Sequence, residues 1–394
     1  MLRKAMHRQV LLLATAQALF QTASVLVMTV GGLAGGQIAT HPQFATAPIA
    51  AMFLGTAVTT IPASVWMVRA GRRAGFVAGA ILGTVGGLVG VCGIVVGSLL
   101  ILCAGTFLVG AYQGFAQFYR FAASEVADDG FRPRAISLVL AGGVVAALLG
   151  PALGRLGVTL IDPHYAGSFL LLAVVSLAAV GLLQGVRVPQ LRVAEAEPAG
   201  RPLHQIARQP AYLVALFGAA TGYGIMILAM TATPLAMIHH DHGLSETSVV
   251  IQLHVLGMFL PFFFTGSLIE RFGVLPIMFA GVALFFGHIL MALSGTGFAS
   301  FAVALVLLGI GWNFLYVGGT TLLTGTYAAS ERGRAQAAND MTIFVVGLVS
   351  SLGAGALLQA VGWQMMNLLL VPWLVIAALS ILWLAWRRSR AALL

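Results

Sequence analysis

The sequence predicts an all-α integral membrane protein whose twelve transmembrane helices form two six-helix bundles. Three observations support this fold class. The 394-residue chain is 60% hydrophobic and only 8% charged, so its apolar segments must face lipid. Those segments are about twenty residues long and lack the alternating polarity of membrane β-strands. Short motifs also recur about half a chain apart, which indicates a tandem repeat.

Short polar or Gly/Pro-containing turns separate the predicted spans. The spans cover residues 9–34, 46–69, 74–96, 98–121, 134–156, 167–186, 210–238, 247–269, 274–294, 299–322, 335–360 and 364–386. The basic N-terminus resembles the start of a signal peptide. The apolar segment that follows is too long for one, so we expect it to be retained as the first helix.

The basic residues of the loops predict the orientation of the chain. Under a twelve-helix count they fall on one side of the membrane, and Arg155 is the exception. Basic loops remain in the cytoplasm. We therefore expect a multi-pass protein of the bacterial inner membrane with both termini and the central loop in the cytoplasm. The net charge of +9 follows from these loops, so no nucleic-acid partner is expected.

A repeat divides the chain into two halves. Arg132-Pro133-Arg134-Ala135 precedes the fifth span, and Arg332-Gly333-Arg334-Ala335 precedes the eleventh. We predict an N-terminal six-helix bundle at 1–186, a cytoplasmic linker at 187–209 and a C-terminal six-helix bundle at 210–394. Two six-helix halves in parallel repeat are typical of secondary transporters, which bind substrate between the halves near the middle of the membrane.

Two motifs in the second half predict a metal substrate. They are Met226-x-x-x-Met230 in the seventh span and His254-x-x-x-Met258 in the eighth. Residues four apart lie on one face of a helix. Thioether sulfur and neutral imidazole favour copper, most naturally Cu(I), over cations that prefer oxygen ligands. An imidazole at membrane depth also needs a partner, which a metal ion would supply.

The spacing of these motifs places the four side chains in two level pairs. Helices seven and eight are predicted to turn near residue 242. Met230 and His254 are each twelve residues from that turn, and Met226 and Met258 are each sixteen residues from it. At the helical rise this distance is about 18–24 Å, near the middle of a hydrocarbon layer of about 30 Å. Each Met taken alone is better explained by packing than by metal binding.

The chain resembles the major facilitator superfamily over its whole length. The resemblance is carried by Gly71-Arg72-Arg73-Ala74-Gly75, which is similar to the cytoplasmic signature between the second and third helices of that superfamily. It implies that Gly71, Arg72 and Arg73 form a conformational loop. The pattern departs from the signature in one respect, because no Asp precedes the Gly-Arg pair.

A closer resemblance is to the copper-importing CcoA-type branch, which supplies copper for cbb3-type cytochrome c oxidase. That branch carries Met-x-x-x-Met on helix seven and His-x-x-x-Met on helix eight. The resemblance implies that Met226, Met230, His254 and Met258 bind copper. It implies copper import by alternating access, with a cytoplasmic copper acceptor as a possible partner. The protein is then a monomer in the lipid bilayer, and copper is a substrate, with no cofactor required.

Further polar residues are candidates for the route of the substrate. A tract on the side opposite the basic loops, His239, His240 and His242, is a possible metal-entry site, or a solvated loop that tolerates His. Another set lies within the spans, where it either lines a cavity or forms bonds between helices. This set comprises Gln17, Gln21, Tyr112, Gln113, Gln117, Asn313 and Tyr316.

Several other functions are excluded or kept as alternatives. No Walker loop, catalytic triad or cofactor fingerprint occurs, so the protein is not expected to be an enzyme. All acidic residues map to loops or helix ends, which argues against proton exchange through a carboxylate. The pattern Gly150-Pro151-x-x-Gly154 resembles an exporter signature, so an exporter of small organic compounds or drugs is the alternative. A non-transporting metal receptor is a third hypothesis.

Overall fold

The computed structural model describes residues 2–128, 131–188, 200–328 and 331–391. Within these ranges the regular structure is helical throughout. The helices are α1 Leu2–Ile38, α2 Ala47–Ala70, α3 Arg72–Val96, α4 Leu99–Ala116, α5 Tyr119–Val126, α6 Arg132–Gly157, α7 Ala166–Leu183, α8 Leu203–Ala207, α9 Pro210–His239, α10 Leu244–Phe259, α11 Phe262–Phe272, α12 Val274–Ser294, α13 Phe298–Thr324, α14 Arg332–Leu368 and α15 Val371–Ala391. A short 3-10 turn, Pro42–Phe44, precedes α2.

These helices confirm the predicted all-helical membrane fold. Ten stretches of the described residues are long and apolar enough to span a membrane, or eleven when the bent pair α10–α11 counts as one. One stretch, Arg334–Arg390, is 57 residues long, about twice the length that a bilayer requires. It turns at Gly362, where φ is 75°. Divided at this glycine, the stretch supplies the eleventh and twelfth predicted spans.

Two predicted spans are broken into two helices. The fourth consists of α4 and α5, which are separated at Gln117–Phe118. The eighth consists of α10 and α11, which meet at an angle of 43°. Pro261 lies at this second break, where the Pro ring cannot continue the helix that precedes it. Both breaks lie beside the cavity described below.

Each half packs through closely approaching helices. In the first half α1 contacts α6, α2 contacts α4, and α3 contacts α4 and α7. In the second half α13 contacts α9, α10 and α12, and α14 contacts α9. Glycines permit the closest approaches. A Cβ atom at Gly110 would collide with the backbone of Met52, and one at Gly309 would lie 2.5 Å from the carbonyl oxygen of His254.

The end of the predicted linker contains a short helix and one residue of an ion pair. The short helix α8, Leu203–Ala207, lies within the predicted linker range. Before it, Arg201 donates hydrogen bonds of 2.7 Å to both carboxylate oxygens of Glu331, which precedes α14. These bonds fasten the start of the second half to the loop between α13 and α14. Residues 189–199 of the linker lie outside the described residues.

The two ends of the bundle differ in how the halves meet. We call the end where α1 begins and α15 ends the terminal face, and the other end the opposite face. Several contacts join the halves toward the opposite face. Arg155 donates to Ser245 Oγ at 2.7 Å, Gln252 donates to the Leu148 carbonyl at 2.9 Å, and Gly355 lies against Thr46. The halves are thus closed together at the opposite face.

Candidate functional site

A cavity lies between the two halves, on the terminal-face side of these contacts. Helices α1, α2, α4, α5 and α6 line it from the first half, and α9, α10, α11, α13 and α14 line it from the second. Its wall extends toward the terminal face as far as Gln117, Arg120 and Asp340. A cavity at the interface of two repeats is where a secondary transporter binds its substrate.

Aromatic rings form much of the wall that the second half contributes. Trp312 and Tyr316 are four residues apart on α13 and therefore share one face. Their rings are stacked, with centroids 5.0 Å apart and planes 12° from parallel. Phe262, Phe259 and Tyr223 contact the same Trp312 ring, with centroids 6.2–6.4 Å away. Such a surface can stack against a planar aromatic ligand.

Amide side chains form the polar part of the wall in the first half. Gln17 and Gln21 are four residues apart on α1, and Gln113 and Gln117 are four apart along α4 and its end. All four line the cavity, as does Tyr316. These five residues were predicted as cavity-lining candidates. Amides offer both hydrogen-bond donors and acceptors, so this side suits a neutral polar ligand.

The other two cavity candidates lie between helices. Tyr112 is fully buried within the first half, where its ring packs edge-on against Phe20 at 5.2 Å. Asn313 is fully buried between α13, α10 and α11. Its Nδ2 donates to the Met258 carbonyl at 2.9 Å, and its Oδ1 accepts from Thr265 Oγ1 at 2.6 Å. Both side chains hold helices together rather than face the cavity.

The four predicted copper ligands are not brought together as one group. Met226, Met230 and Met258 line the cavity. His254 is fully buried outside the cavity wall, and its Nδ1 donates to the Leu305 carbonyl at 2.8 Å. The level pairing of His254 with Met230 requires α9 and α10 to lie side by side. In the structure α10 packs chiefly on α13 and α6 instead.

His254 nevertheless retains one free position. Its Nε2 is buried and has no hydrogen-bond partner among the described residues. Within that same part of the chain, no three His, Cys, Asp or Glu side chains form a group that could hold a metal ion. The soft donors at the cavity wall are therefore thioethers, with Met28 and Met52 joining the three predicted residues.

Two charged residues at the cavity are not among the site residues predicted from the sequence. Arg120 on α5 and Asp340 on α14 both line it. Asp340 is eight residues from the start of α14, about 12 Å along the helix. The expectation that acidic residues occur only in loops and at helix ends is thus wrong for Asp340. The sequence signal was present, because Asp340 lies five residues inside the predicted eleventh span.

The predicted entry histidines lie at the opposite face and have different surroundings. His239 and His240 are exposed and line a second pocket there, with ring centroids 5.4 Å apart. His242 is engaged with two acceptors, the Thr296 carbonyl at 2.7 Å and the Glu246 carboxylate at 3.0 Å. The hydrogen bond to the Thr296 carbonyl is the main cause of a raised pKa of His242, and the bond to Glu246 adds to it.

The predicted conformational loop connects α2 and α3 at the terminal face. Gly71 has φ of 88°, which only glycine adopts without strain. Arg73 is exposed, whereas Arg72 forms an ion pair with Glu125 of α5 at 2.7 Å. The loop therefore has an acidic partner on the neighbouring helix, although the signature Asp before the Gly-Arg pair is absent.

Comparison with known sequences extends these observations. The family model for the Major Facilitator Superfamily matches residues 11–262 and 227–393. A protein of Brucella anthropi named riboflavin transporter RfnT is 39% identical over 371 residues, which cover 93% of each chain. These matches support the superfamily resemblance. They give no support to the copper-importing branch.

Two solved structures are similar in fold. The xylose transporter XylE from E. coli, in a partially occluded inward-open conformation, has a TM-score of 0.71 at 11% identity. The alignment covers 95% of this chain and 97% of XylE. A bacterial homologue of the human lysosomal transporter Spinster, in an inward-facing and occupied conformation, has a TM-score of 0.72 at 15% identity and covers 96% of both chains. At these identities the likeness concerns the fold alone.

Proposed function

Because this chain belongs to the Major Facilitator Superfamily and is therefore a secondary transporter, we propose that it carries riboflavin or a closely related flavin across the membrane. The observation that carries the proposal is the aromatic wall of the cavity, centred on Trp312 and Tyr316. The relative from Brucella anthropi is consistent with it, since that protein is named a riboflavin transporter.

The two sides of the cavity match the two parts of a flavin. Riboflavin combines a flat tricyclic ring with a flexible chain of hydroxyl groups. The stacked pair of Trp312 and Tyr316 offers an outer ring face to the flavin ring, and stacking of this kind contributes about 0.5–1.5 kcal/mol per pair. The amides of Gln17, Gln21 and Gln113 offer partners for hydroxyl groups from the facing side. A small metal ion would use neither feature.

Transport then proceeds by alternating access. The halves meet toward the opposite face through contacts such as Arg155–Ser245, and the cavity lies on the terminal-face side of them. Opening the opposite face requires these contacts to separate while the halves approach each other at the terminal face. With the terminal face in the cytoplasm of the inner membrane, as the basic loops predict, this arrangement suits release of an imported substrate.

Copper is a second candidate, supported by one specific observation. Five thioethers line the same cavity, contributed by Met28, Met52, Met226, Met230 and Met258. Thioether sulfur is a soft ligand that suits Cu(I). In this alternative His254 can keep its bond to the Leu305 carbonyl and offer its free Nε2, but only if that atom comes to face the cavity. A flavin uses the aromatic and amide surfaces that a copper ion would leave unused, and for this reason we favour it.

A binding titration tests the proposal. Riboflavin is fluorescent, and stacking against an indole quenches its emission. We expect purified protein to quench riboflavin with a saturable dependence on protein concentration. Trp312→Ala should weaken binding about tenfold, whereas Trp312→Phe should retain most of it because a flat ring remains. Trp373→Phe is the matched control, since that indole on α15 lies outside the cavity.

Two results would oppose the proposal. The first is the absence of riboflavin quenching by folded protein. The second is equal affinity in the wild type and Trp312→Ala, which would place the flavin away from the aromatic wall. Saturable Cu(I) binding that is lost on replacing Met226 and Met230, without any flavin binding, would favour copper instead.

A further inference from the structure

Two charged residues of opposite sign face the cavity without forming an ion pair. Arg120 belongs to the first half and Asp340 to the second, and neither takes part in the ion pairs that the described residues form. The Nε atom of Arg120 is buried and has no hydrogen-bond partner. Its guanidinium lies over the Phe121 ring at 4.8 Å. A cation held in this way retains donors for a ligand.

Asp340 lines the same cavity as the aromatic wall. Its carboxylate accepts a local hydrogen bond from Asn339 Nδ2 at 3.1 Å. Tyr316 is eight residues from the end of α13 and Asp340 is eight residues from the start of α14, so both are about 12 Å from the terminal-face ends of their helices. The carboxylate therefore lies at the depth of Tyr316, and the Arg120 guanidinium belongs to the other half of the same cavity.

The chemistry of these two groups selects one edge of a flavin. The pyrimidine edge of the flavin ring carries an imide N–H between two carbonyl oxygens. A carboxylate accepts from such an N–H, and a guanidinium donates to the neighbouring carbonyl. A flavin ring stacked on this aromatic wall with its imide edge toward Asp340 would supply a partner to both groups. The opposite, dimethylated edge of the ring offers no hydrogen-bonding group.

We propose that Asp340 and Arg120 bind the imide edge of the flavin ring and thereby determine the specificity of the transporter. This inference rests on the proposed function and adds the orientation of the substrate. In a closed cavity, a ligand without the imide N–H leaves the second carboxylate oxygen of Asp340 without a donor. Sites with an unmatched buried polar group reject the incomplete ligand strongly.

The test compares two flavins that differ by one methyl group. Riboflavin carries the imide N–H, and 3-methylriboflavin has a methyl group in its place. Both retain the stacking ring and the chain of hydroxyl groups. We expect purified full-length protein to bind riboflavin at least about tenfold more tightly, the loss typical of a hydrogen bond to a charged group. This preference should decrease in Asp340→Asn and fall to parity in Asp340→Ala.

A control variant and a second measurement keep the outcomes separate. Glu246→Gln, at the opposite face, should retain the preference of the wild type. Arg120→Gln should weaken both flavins by a similar factor, since both keep the carbonyl groups. Equal binding of the two flavins by the wild type would overturn the inference and leave the flavin function in place. Binding of neither flavin would overturn both.

Discussion

Arg155 Nη1 donates a 2.7 Å hydrogen bond to Ser245 Oγ, joining the last turn of α6 to the first turn of α10 across the two halves. Arg155 is also the exception to the charge pattern, since it lies on the side opposite the basic loops. Its position has a structural explanation, because it helps to close the opposite face.

The first prediction concerns this contact. Arg155→Ala should favour opening of the opposite face by about 0.5–1 kcal/mol, a twofold to fivefold shift in population. The measurement is the rate at which a thiol reagent modifies Leu235→Cys in a background lacking Cys92 and Cys103. Leu235 lies against Gly32 of the other half. Arg187→Ala, exposed near the terminal face, is the control. Unchanged reactivity would show that the bond does not hold the halves closed.

The second prediction separates flavin from copper. Met226→Leu and Met230→Leu keep apolar volume at the cavity wall and remove only the sulfur donors. Riboflavin binding should therefore change by less than about threefold in either variant, because an apolar side chain of similar volume remains at the wall. His254→Leu should behave similarly, because that imidazole lies outside the wall. Loss of copper uptake in all three variants, with copper uptake by the wild type, would support the copper hypothesis.

The third prediction concerns pH and the Arg201–Glu331 pair. Hydrogen bonds from Arg201 lower the pKa of Glu331 from 4.5 to about 2. A lowered pKa means that the ionised carboxylate stabilises the fold above pH 4.5, and that this contribution disappears between about pH 4.5 and 2. Glu331→Gln should lower the melting temperature at pH 7, and the difference from the wild type should vanish in acid. A difference that is equal at all pH values would exclude the ion pair as its cause.

Glu270→Gln is the control for this measurement. Glu270 is an exposed carboxylate at the end of α11. Its replacement should leave the melting temperature unchanged at both pH values, because exposed charges contribute little to stability.

The fourth prediction concerns topology. Gly243→Cys, at the exposed turn between α9 and α10, has open space around its Cβ position. In a background lacking Cys92 and Cys103, it should react with a membrane-impermeant thiol reagent added outside the cell. His204→Cys, exposed on α8, should react only after the membrane is opened. The reverse labelling would contradict the orientation predicted from the basic loops.

The architecture could be predicted from the sequence because a bilayer requires long apolar helices. Each predicted span has its counterpart in the structure, and the largest differences are breaks at Pro261 and Gln117. Hydropathy detects length and polarity, and it does not detect a bend within a continuous apolar segment. The repeat of basic motifs likewise predicts two halves. In the structure the two motifs lie at the starts of α6 and α14, which form the fifth and eleventh spans.

The site was less predictable, because helix neighbours decide which residues share a cavity. The Gln pairs on α1 and along α4 and its end were predicted as candidates, and all four line the cavity. His254 was expected beside Met230, but α10 turns its buried imidazole toward Leu305 of α13. Asp340 was assigned to a helix end, although the cavity extends to that depth. In the sequence of an apolar helix, an aromatic residue that lines a substrate cavity cannot be distinguished from one that packs between helices.

Counterflow transport in proteoliposomes tests the central claim most directly. Vesicles that contain the purified protein and excess unlabelled riboflavin are diluted into a trace of labelled riboflavin, so no coupling ion needs to be known. The account predicts transient accumulation of the label, reduced about tenfold in Trp312→Ala and unaffected by external Cu(I). Absence of riboflavin counterflow in vesicles that exchange labelled copper would contradict it.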